Sequence, residues 1–400
     1  MGKAMLLVAL GLSSVMGRML YNINARTLDL TETSYARHTR MVARNAAYSG
    51  AQIAVSELYR DLTWRTGVDT TFYNDGIFVA EAVDVTIDTP LAVSRVRITS
   101  IGSYNDVSDT VSVLVAQPAF SYYGLFSDSW PGGEYFDTGD SLYGPIHTNG
   151  QWNLTGNPVF FGKVNSNSNS FSVSGSPNPK FYGGYDLEVP AINLDLTFPA
   201  VIDSANAGGD VYASEVWLRF NADGTYDYGS DNTYSGGTKN LTDYNGSIMT
   251  TGSNDIHVEG TVNGQVTIYS GGDIFIEDVL VYSQDPRSIP GSQDVLGLIA
   301  QVDVIVVDNI ANQTDCEIHA AIMALGNSFE VQNYSSGSPR GTLTVVGSVI
   351  QRDRGDLGTY SGGVLVTGYE PDWQYDRRYL NVGPPYFPLL PRAIVLAWEE

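Results

Sequence analysis

Apolar residues crowd the start of the chain. Residues 4–16 read AMLLVALGLSSVM, preceded by Lys3, and the run resumes past Arg18 in MLYNI. The uninterrupted run falls short of the ~20 residues that comfortably span a bilayer. Three readings share such a start: a signal-peptide core with Val-Met-Gly at 15–17 as its cleavage site, a membrane anchor whose Arg18 snorkels to the interface, and the stem of a filament subunit. The residues that follow choose among them. From Thr27 to Arg60 there is no proline, and the only glycine is Gly50. Leu28, Tyr35, Val42, Ala46, Ile53 and Ala54 recur near helical spacing, with Arg37, Arg40 and Arg44 on a polar side. Ala46, Ala47, Gly50, Ala51 and Ala54 are small enough for a helix to pack closely on another surface. The pattern predicts one helix over about 4–60, roughly 85 Å long at ~1.5 Å per residue. A cleaved signal peptide has no need of such a continuation, whereas a filament stem does.

The period then changes from helical to alternating. IFVAEAVDVTI (77–87) places Ile77, Val79, Val83, Val85 and Ile87 on one face. SRVRITSIG (94–102) and DTVSVLVAQ (109–117) are the next two predicted strands, divided by polar turns. A long N-terminal helix followed by an antiparallel meander resembles the type IV pilin fold. The resemblance implies that the apolar first half of the helix builds a filament core and that the second half packs on the sheet. The family's glutamate at the fifth mature position has no counterpart, since Met5 and Leu7 are apolar; some minor and tip-located pilin-like subunits lack it.

Residues 246–350 carry a loose repeat. A small or acidic residue precedes a short strand at Asp255-Ile256-His257-Val258, Asp273-Ile274-Phe275-Ile276, Asp303-Val304-Ile305-Val306 and Ser328-Phe329-Glu330-Val331. Neighbouring strands read VTIYS (266–270), LGLIA (296–300), HAAIMAL (319–325) and LTVVGSVI (343–350). Periods of this size predict stacked β rungs, a right-handed parallel β-helix or related solenoid; an antiparallel sandwich is the alternative. In the stacked reading Ile274, Val304 and Phe329 point inward, and Phe275, Ile305 and Glu330 point to the other face. GPIHTNGQWNLTGNPVFFGKV (144–164) has the same texture, and NSNSNSFSVSGSPNPK (165–180) is a low-complexity loop. A protruding insertion is expected around 181–245, with VWLRFNADGTYDYG (216–229) as a hairpin turning at Asp-Gly. The tail 371–400 is aromatic and proline-rich and is expected to cap the body, with IVLAW (394–398) as a last strand.

Composition and charge narrow the functional classes. Glycine (42) and tyrosine (25) are abundant, which suits short strands and tight turns. Residues 1–60 hold seven basic and three acidic residues, leaving fourteen basic and forty-one acidic in the remainder. A body this acidic repels phosphate backbones, so nucleic acid is not an expected partner. The single cysteine, Cys316, excludes an internal disulfide and reads as a small buried hydrophobe, with a reactive thiol as the alternative.

GPIHTNG (144–150), DVLGLIAQVDVIV (294–306), EIHAAIMALGNSFEV (317–331), RGTLTVVGSVIQRDRG (340–355) and YDRRYLNVGPPYFP (375–388) resemble a poorly characterised group of bacterial pilus-assembly-like surface proteins with a β-solenoid body. The resemblance implies surface location and a link to pilin-like secretion, and it brings no catalytic residues. Other chemistry is thin. His147, His257 and His319 each follow an isoleucine and could form a metal ladder if stacked, but at separations of 110 and 62 residues they read better as polar residues on an outward or turn-facing row. Asn221, Asp223 and Asp227 hint at a calcium loop without its bidentate glutamate, so a turn is the better account. Arg352, Asp353, Arg354 and Asp356 group charges as a polysaccharide-cleaving site would, or as a charged turn does. GDLGTYSGG (355–363) lacks the Gly-Lys-Ser/Thr ending of a phosphate loop.

The sequence therefore predicts a mainly β chain with a long N-terminal α-helix, a pilin-like α+β module followed by a parallel β-helix-like body. Its expected divisions are a helix over 1–60, a meander over 61–118, a solenoid over 119–370 and a cap over 371–400. The expected function is a non-enzymatic, pilin-like subunit of a bacterial extracellular filament or surface appendage. It would be inserted in the inner membrane before assembly and would join copies of itself or other pilin-like subunits through the helix. Surface glycans are a further partner class. No catalytic, cofactor-binding or metal-binding residue is assigned, and no cofactor is expected. The competing function is a secreted or anchored β-helix carbohydrate-active enzyme or glycan-binding adhesin.

Overall fold

The structure is a computed structural model that describes residues 2–71, 77–85, 94–194 and 199–399. Chain contacts divide it into two compact units.

In the first unit, helix α1 runs unbroken over Gly2–Arg60. It packs on a five-stranded antiparallel sheet of β1 (Val68–Thr71), β2 (Ile77–Asp84), β3 (Ser94–Tyr104), β4 (Val107–Gln117) and the C-terminal strand Ile394–Glu399, in that order. The buried helix positions are Thr39, Ala43, Ala46, Ala47, Gly50, Ala51, Ala54, Val55 and Leu58, a stripe at steps of three and four. The larger expected residues stay out: Leu28, Tyr35 and Ile53 are exposed. Close approach is why small residues win. A Cβ on Gly102 of β3 would stand 2.1 Å from the Ala43 carbonyl oxygen, and one on Gly50 would stand 2.5 Å from the Phe78 ring.

The meander has its expected strands, but the expected face of β2 is inverted. Phe78, Ala80 and Ala82 are buried, whereas Ile77, Val79 and Val83 are 50%, 45% and 60% exposed. Both alternating sets of this strand are apolar, so period two alone does not choose between them. The helix chooses, because its small-residue stripe accepts the Phe-Ala-Ala set. Ile87 lies outside the described residues.

The second unit, which includes residues 117–391, falls in the chain between β4 and the C-terminal strand. Its entering and leaving segments pair, with Phe120 N–H donating to the Pro388 carbonyl at 2.8 Å and Leu390 N–H to the Pro118 carbonyl at 2.8 Å. The strands form a large sheet system and two small sheets. The large system mixes parallel ladders with antiparallel hairpins such as Val216–Phe220 with Thr225–Gly229, so the strand map as a whole is not one closed solenoid.

Parallel stacking nevertheless fills the interior. Val216, Ile256, Ile274, Val304 and Phe329 stand in one register column, all buried. Their neighbours Trp217, Phe275, Ile305 and Glu330 face the other way and are partly exposed. A second column runs Ile248, Ile268, Leu298, Ile322, Val349, Leu125, Ile146, Val164. Val349 meets Leu125 at its middle, so segments far apart in sequence share one ladder. Here the other face is apolar too. Met249, Tyr269, Ile299, Met323, Ile350 and Phe126 are buried in a separate cluster with Tyr379, Phe387 and Leu390 of the tail. The expected cap thus divides. Part of the tail covers this flank, and Ile394–Glu399 joins the first unit's sheet.

The expected protruding insertion is also different. Tyr185–Asp186 pairs at one end of the second column and Asp210–Tyr212 at the other. Between them, Ile192, Leu194 and helix α2 (Pro199–Gly208) pack in the flank cluster. Apolar residues at Ile192, Leu194, Val201 and Ala205 hold this segment down.

The repeated acidic residue has a physical task. Asp255 Oδ1 accepts the backbone N–H of Asp273 at 2.7 Å, and Asp273 Oδ1 accepts that of Asp303 at 2.8 Å. Asp303 Oδ1 then accepts that of Ser328 at 2.8 Å. Each carboxylate satisfies the amide that opens the next rung, which would otherwise lack a partner. The arrangement stacks like charges. Burial pushes the Asp273 carboxyl up, and Asp255 and Asp303 add to the rise. Asp273→Ala is expected to lower unfolding free energy by about 1–3 kcal/mol, the cost of an orphaned donor. Asp273→Asn keeps the acceptor, removes a like charge and should leave stability nearly unchanged. Urea denaturation of both variants checks this, and equal losses in the two would show that the acceptor is not what matters.

Candidate assembly surface

The feature with the greatest unsatisfied physical demand is the first part of α1. Its buried residues begin at Thr39. Before that, Met5, Leu6, Leu7, Leu10, Leu12 and many others lie open, with Met5 79% exposed. At ~1.5 Å per residue the bare segment 2–38 is about 55 Å long. It contains an 18-residue window of mean hydropathy 1.6 with none of it buried, long and apolar enough to cross a membrane. An apolar surface of this extent marks a membrane or protein contact. Where burial starts, the helix carries its basic side: Arg40 lies 3.8 Å from Asp109, and Arg44 sits over the Tyr48 ring.

The three histidines do not form a ladder. His147 pairs in register with Phe126 and Asn165, His257 with Trp217 and Phe275, and His319 with Val346. These are three different columns. His147 is buried against Phe126, and its Nε2 lies 2.9 Å from Asn149 Oδ1. His257 is stacked between Trp217 at 3.8 Å and Phe275 at 4.8 Å. Its Nδ1 lies 2.6 Å from Glu277 and its Nε2 2.8 Å from Glu215. With rings on both faces and a carboxylate at each nitrogen, the imidazole is clamped in place by its own neighbours.

Asp285, Glu317 and His319 bring three potential ligand atoms within 4.8 Å of one another. Their hydrogen bonds argue against a metal. His319 Nδ1 accepts the Tyr282 N–H at 3.1 Å, so its Nε2 carries the proton facing Glu317 at 2.9 Å. Arg287 already supplies the cation, bonding both Asp285 and Glu317. Burial pushes the His319 pKa down despite Glu317. Burial alone would raise the Glu317 pKa, but His319 and Arg287 hold it below the usual range.

The remaining candidates are structural in their contacts. Asp223 bonds Thr225 within the hairpin turn, and Asp227 bonds Arg219 and Thr238. Cys316 is buried in the core, where burial pushes its thiol up to about 12. Arg352 donates to the Leu325 carbonyl, and Asp353 accepts from Ser129. Arg354 lies 5.7 Å from the Trp130 ring centre and 5.4 Å from that of Trp373. The sequence did not single out Asp210. It is buried and accepts from Tyr212, Tyr226 and Lys239, whose ammonium sits over the Tyr228 ring at 4.4 Å. These partners come from separate strands, so no linear motif announces them.

The His319 geometry fixes a pH response. Its folded pKa lies below its unfolded value of ~6.5, so the unfolded chain binds the proton more readily. Its contribution is fully present above ~6.5 and is lost as pH falls from there toward the folded pKa. His319→Asn keeps an acceptor for the Tyr282 amide without a titrating ring. The variant should lose less stability than the parent between pH 7 and 5, measured by urea midpoints; equal losses would exclude His319 as a source.

Comparison with known proteins gives limited company. Residues 95–169 match a family described as a domain of unknown function, DUF4900. The matched stretch covers β3, β4 and the first ladder strands up to Val164–Ser166. No match was found among curated proteins. Among solved structures, the crystal structure of the competence-associated pilin ComZ from Thermus thermophilus is a neighbour at a TM-score of 0.35 and 12% identity. That alignment covers 90% of this chain and 97% of the neighbour.

Proposed function

We propose that this chain is a non-enzymatic, pilin-like subunit of an extracellular filament or surface appendage, of the minor or tip-located kind. The observation that carries the reading is the exposed first part of α1, predominantly apolar over residues 4–23, continuous with a stretch that packs on an antiparallel sheet. One helix thus has two jobs. Its small-residue stripe belongs to this chain, and its large apolar residues await another surface. In the membrane that surface is lipid; in a filament it is the same segment of other subunits. The acidic body is the displayed part, and its parallel ladders are read as a β-solenoid with hairpin decorations. Location at a bacterial cell surface, with insertion in the inner membrane before assembly, follows from the same reading.

Residues 2–26 carry no buried side chain, so the chain lacking residues 1–26 is expected to be a folded monomer by light scattering. Persistent filaments or high-order oligomers would sink helix-driven assembly. An anchor and a filament core differ in the full chain. Leu12→Cys should give interchain disulfides in filament fractions under mild oxidation, because filament helices pack together; the native Cys316 is buried and does not compete. Monomeric thiols throughout would favour a plain anchor.

The non-enzymatic part is tested separately. Arg352, Asp353 and Arg354 are engaged in backbone, hydroxyl and aromatic contacts. Saccharide-release assays on pectin, alginate and glucans are expected to show no turnover. Turnover abolished by Arg354→Gln would overturn this part and favour the carbohydrate-active alternative.

A further inference from the structure

Within the second unit, Pro286, Arg287, Pro290, Val346, Arg377 and Arg378 line a pocket of about 400 Å³, with Tyr375 and Asp376 completing its wall. Residues 61–400 hold fourteen lysines and arginines, and three arginines converge here.

Two of the three are held by carboxylates. Arg378 makes a two-pronged contact with Asp376 through Nε at 3.0 Å and Nη2 at 2.6 Å, and its Nη1 donates to the Ser292 carbonyl at 2.9 Å. Arg287 bonds Asp285 and Glu317, and its Nη1 donates to Gln374 Oε1 at 2.9 Å. Both guanidinium groups are therefore fixed in place before any ligand arrives. Arg377 is different. It is exposed, and among the described residues its side chain has no acceptor.

We propose that this pocket binds a monoanionic, carboxylate-bearing sugar residue of the uronic-acid class, with Arg377 as the principal contact to the carboxylate. Three arginines here stand against three carboxylates, Asp376 beside Arg378 and Asp285 and Glu317 beside Arg287, so the pocket holds no surplus positive charge; Arg377 is its one arginine without a carboxylate partner among the described residues, which suits a single monoanionic group rather than a higher charge. Phosphate carries about −1.5 to −2 at neutral pH and would have to sit beside Asp376 with too little positive charge. The guanidinium fork suits the two oxygens of a carboxylate. The volume matches a small organic ligand, since small-molecule sites begin near ~300 Å³. Pro286, Pro290, Val346 and Tyr375 supply apolar wall for the C–H faces of a ring, while Arg377 holds one end.

The test is titration of the full chain, kept dispersed in detergent, with D-glucuronate, D-glucose and inorganic phosphate, followed by calorimetry. Saturable glucuronate binding is expected, with glucose weaker and phosphate no tighter. Arg377→Gln should weaken glucuronate about tenfold or more, in line with loss of a charge-assisted contact, and Arg377→Lys should restore part of it. Arg97→Gln, in the other unit, should change nothing. Thermal unfolding of each variant shows that the fold persists. No saturable glucuronate binding, equal affinity for glucose, tighter binding of phosphate, or an unchanged affinity in Arg377→Gln would each overturn the proposal. None of these outcomes depends on whether the helix builds filaments.

Discussion

Stacking of rung on rung is the constraint on which the body depends. No strand there can bury its inner residues alone, because each presents only a few apolar side chains, two in Val304–Val306 and in Phe329–Val331. Ile274 is buried only because Ile256 lies on one side of it and Val304 on the other. The interior is thus built from contacts between neighbouring strands of the parallel ladders. A slip of one residue would bring Phe275, Ile305 and Glu330 inside and bury a carboxylate. The aspartates at 255, 273 and 303 oppose that slip, because each accepts a specific amide of the next rung.

The seam at Val349 and Leu125 adds a second constraint. The ladder from residue 248 to 349 and the ladder from 125 to 185 become one stack only when segments more than two hundred residues apart meet. Long-range closure of this kind is slow relative to local pairing. The segment around Ile192, Leu194 and α2 serves the same closure, since it carries the chain from one end of the stack to the other. The pairing of residues 118–120 with 388–390 also keeps the beginning and end of the body adjacent, so its insertion between two antiparallel strands of the first unit leaves those strands paired.

Much of this was legible in the sequence, and the failures have physical causes. The long helix could be read because no proline and only one glycine interrupt residues 27–60. The alternation at Ile274, Val304 and Phe329 was readable because inner and outer residues recur at fixed offsets from a small or acidic residue. The face of β2 was not readable, since Phe78-Ala80-Ala82 and Ile77-Val79-Val83 are both apolar and the helix decides between them. The tail's path was hidden for a related reason. Strands at 295–300 and 319–325 are apolar on both faces, which signals that something covers the outside but not which segment does. The shared Ile-His dipeptide of the three histidines says nothing about column, since columns are set by loop lengths. Arg287 and Arg377 are ninety residues apart in sequence and meet only because the ladder brings the loop at 285–290 beside the end of the strand Val364–Tyr375.

The charge of −23 is accordingly a poor guide to what the surface does. A fraction of the carboxylates is structural and partly or wholly buried: Asp210 serves two tyrosines and a lysine, Asp376 an arginine, and the aspartate column the rung amides. The few cations of the body are mostly used up in the same way. Arg219 pairs with Asp227, Lys239 with Asp210, Arg340 with Asp308 and Arg378 with Asp376. Where nearly every positive charge is already neutralised by a neighbour, the general field is repulsive to anions and no broad basic face forms. Recognition of an anion must then be local, through a cation whose partner is not supplied by the fold. That restriction favours a small, geometrically defined ligand over a polyanion, because a polyanion needs a row of such cations and would meet the acidic surface on either side.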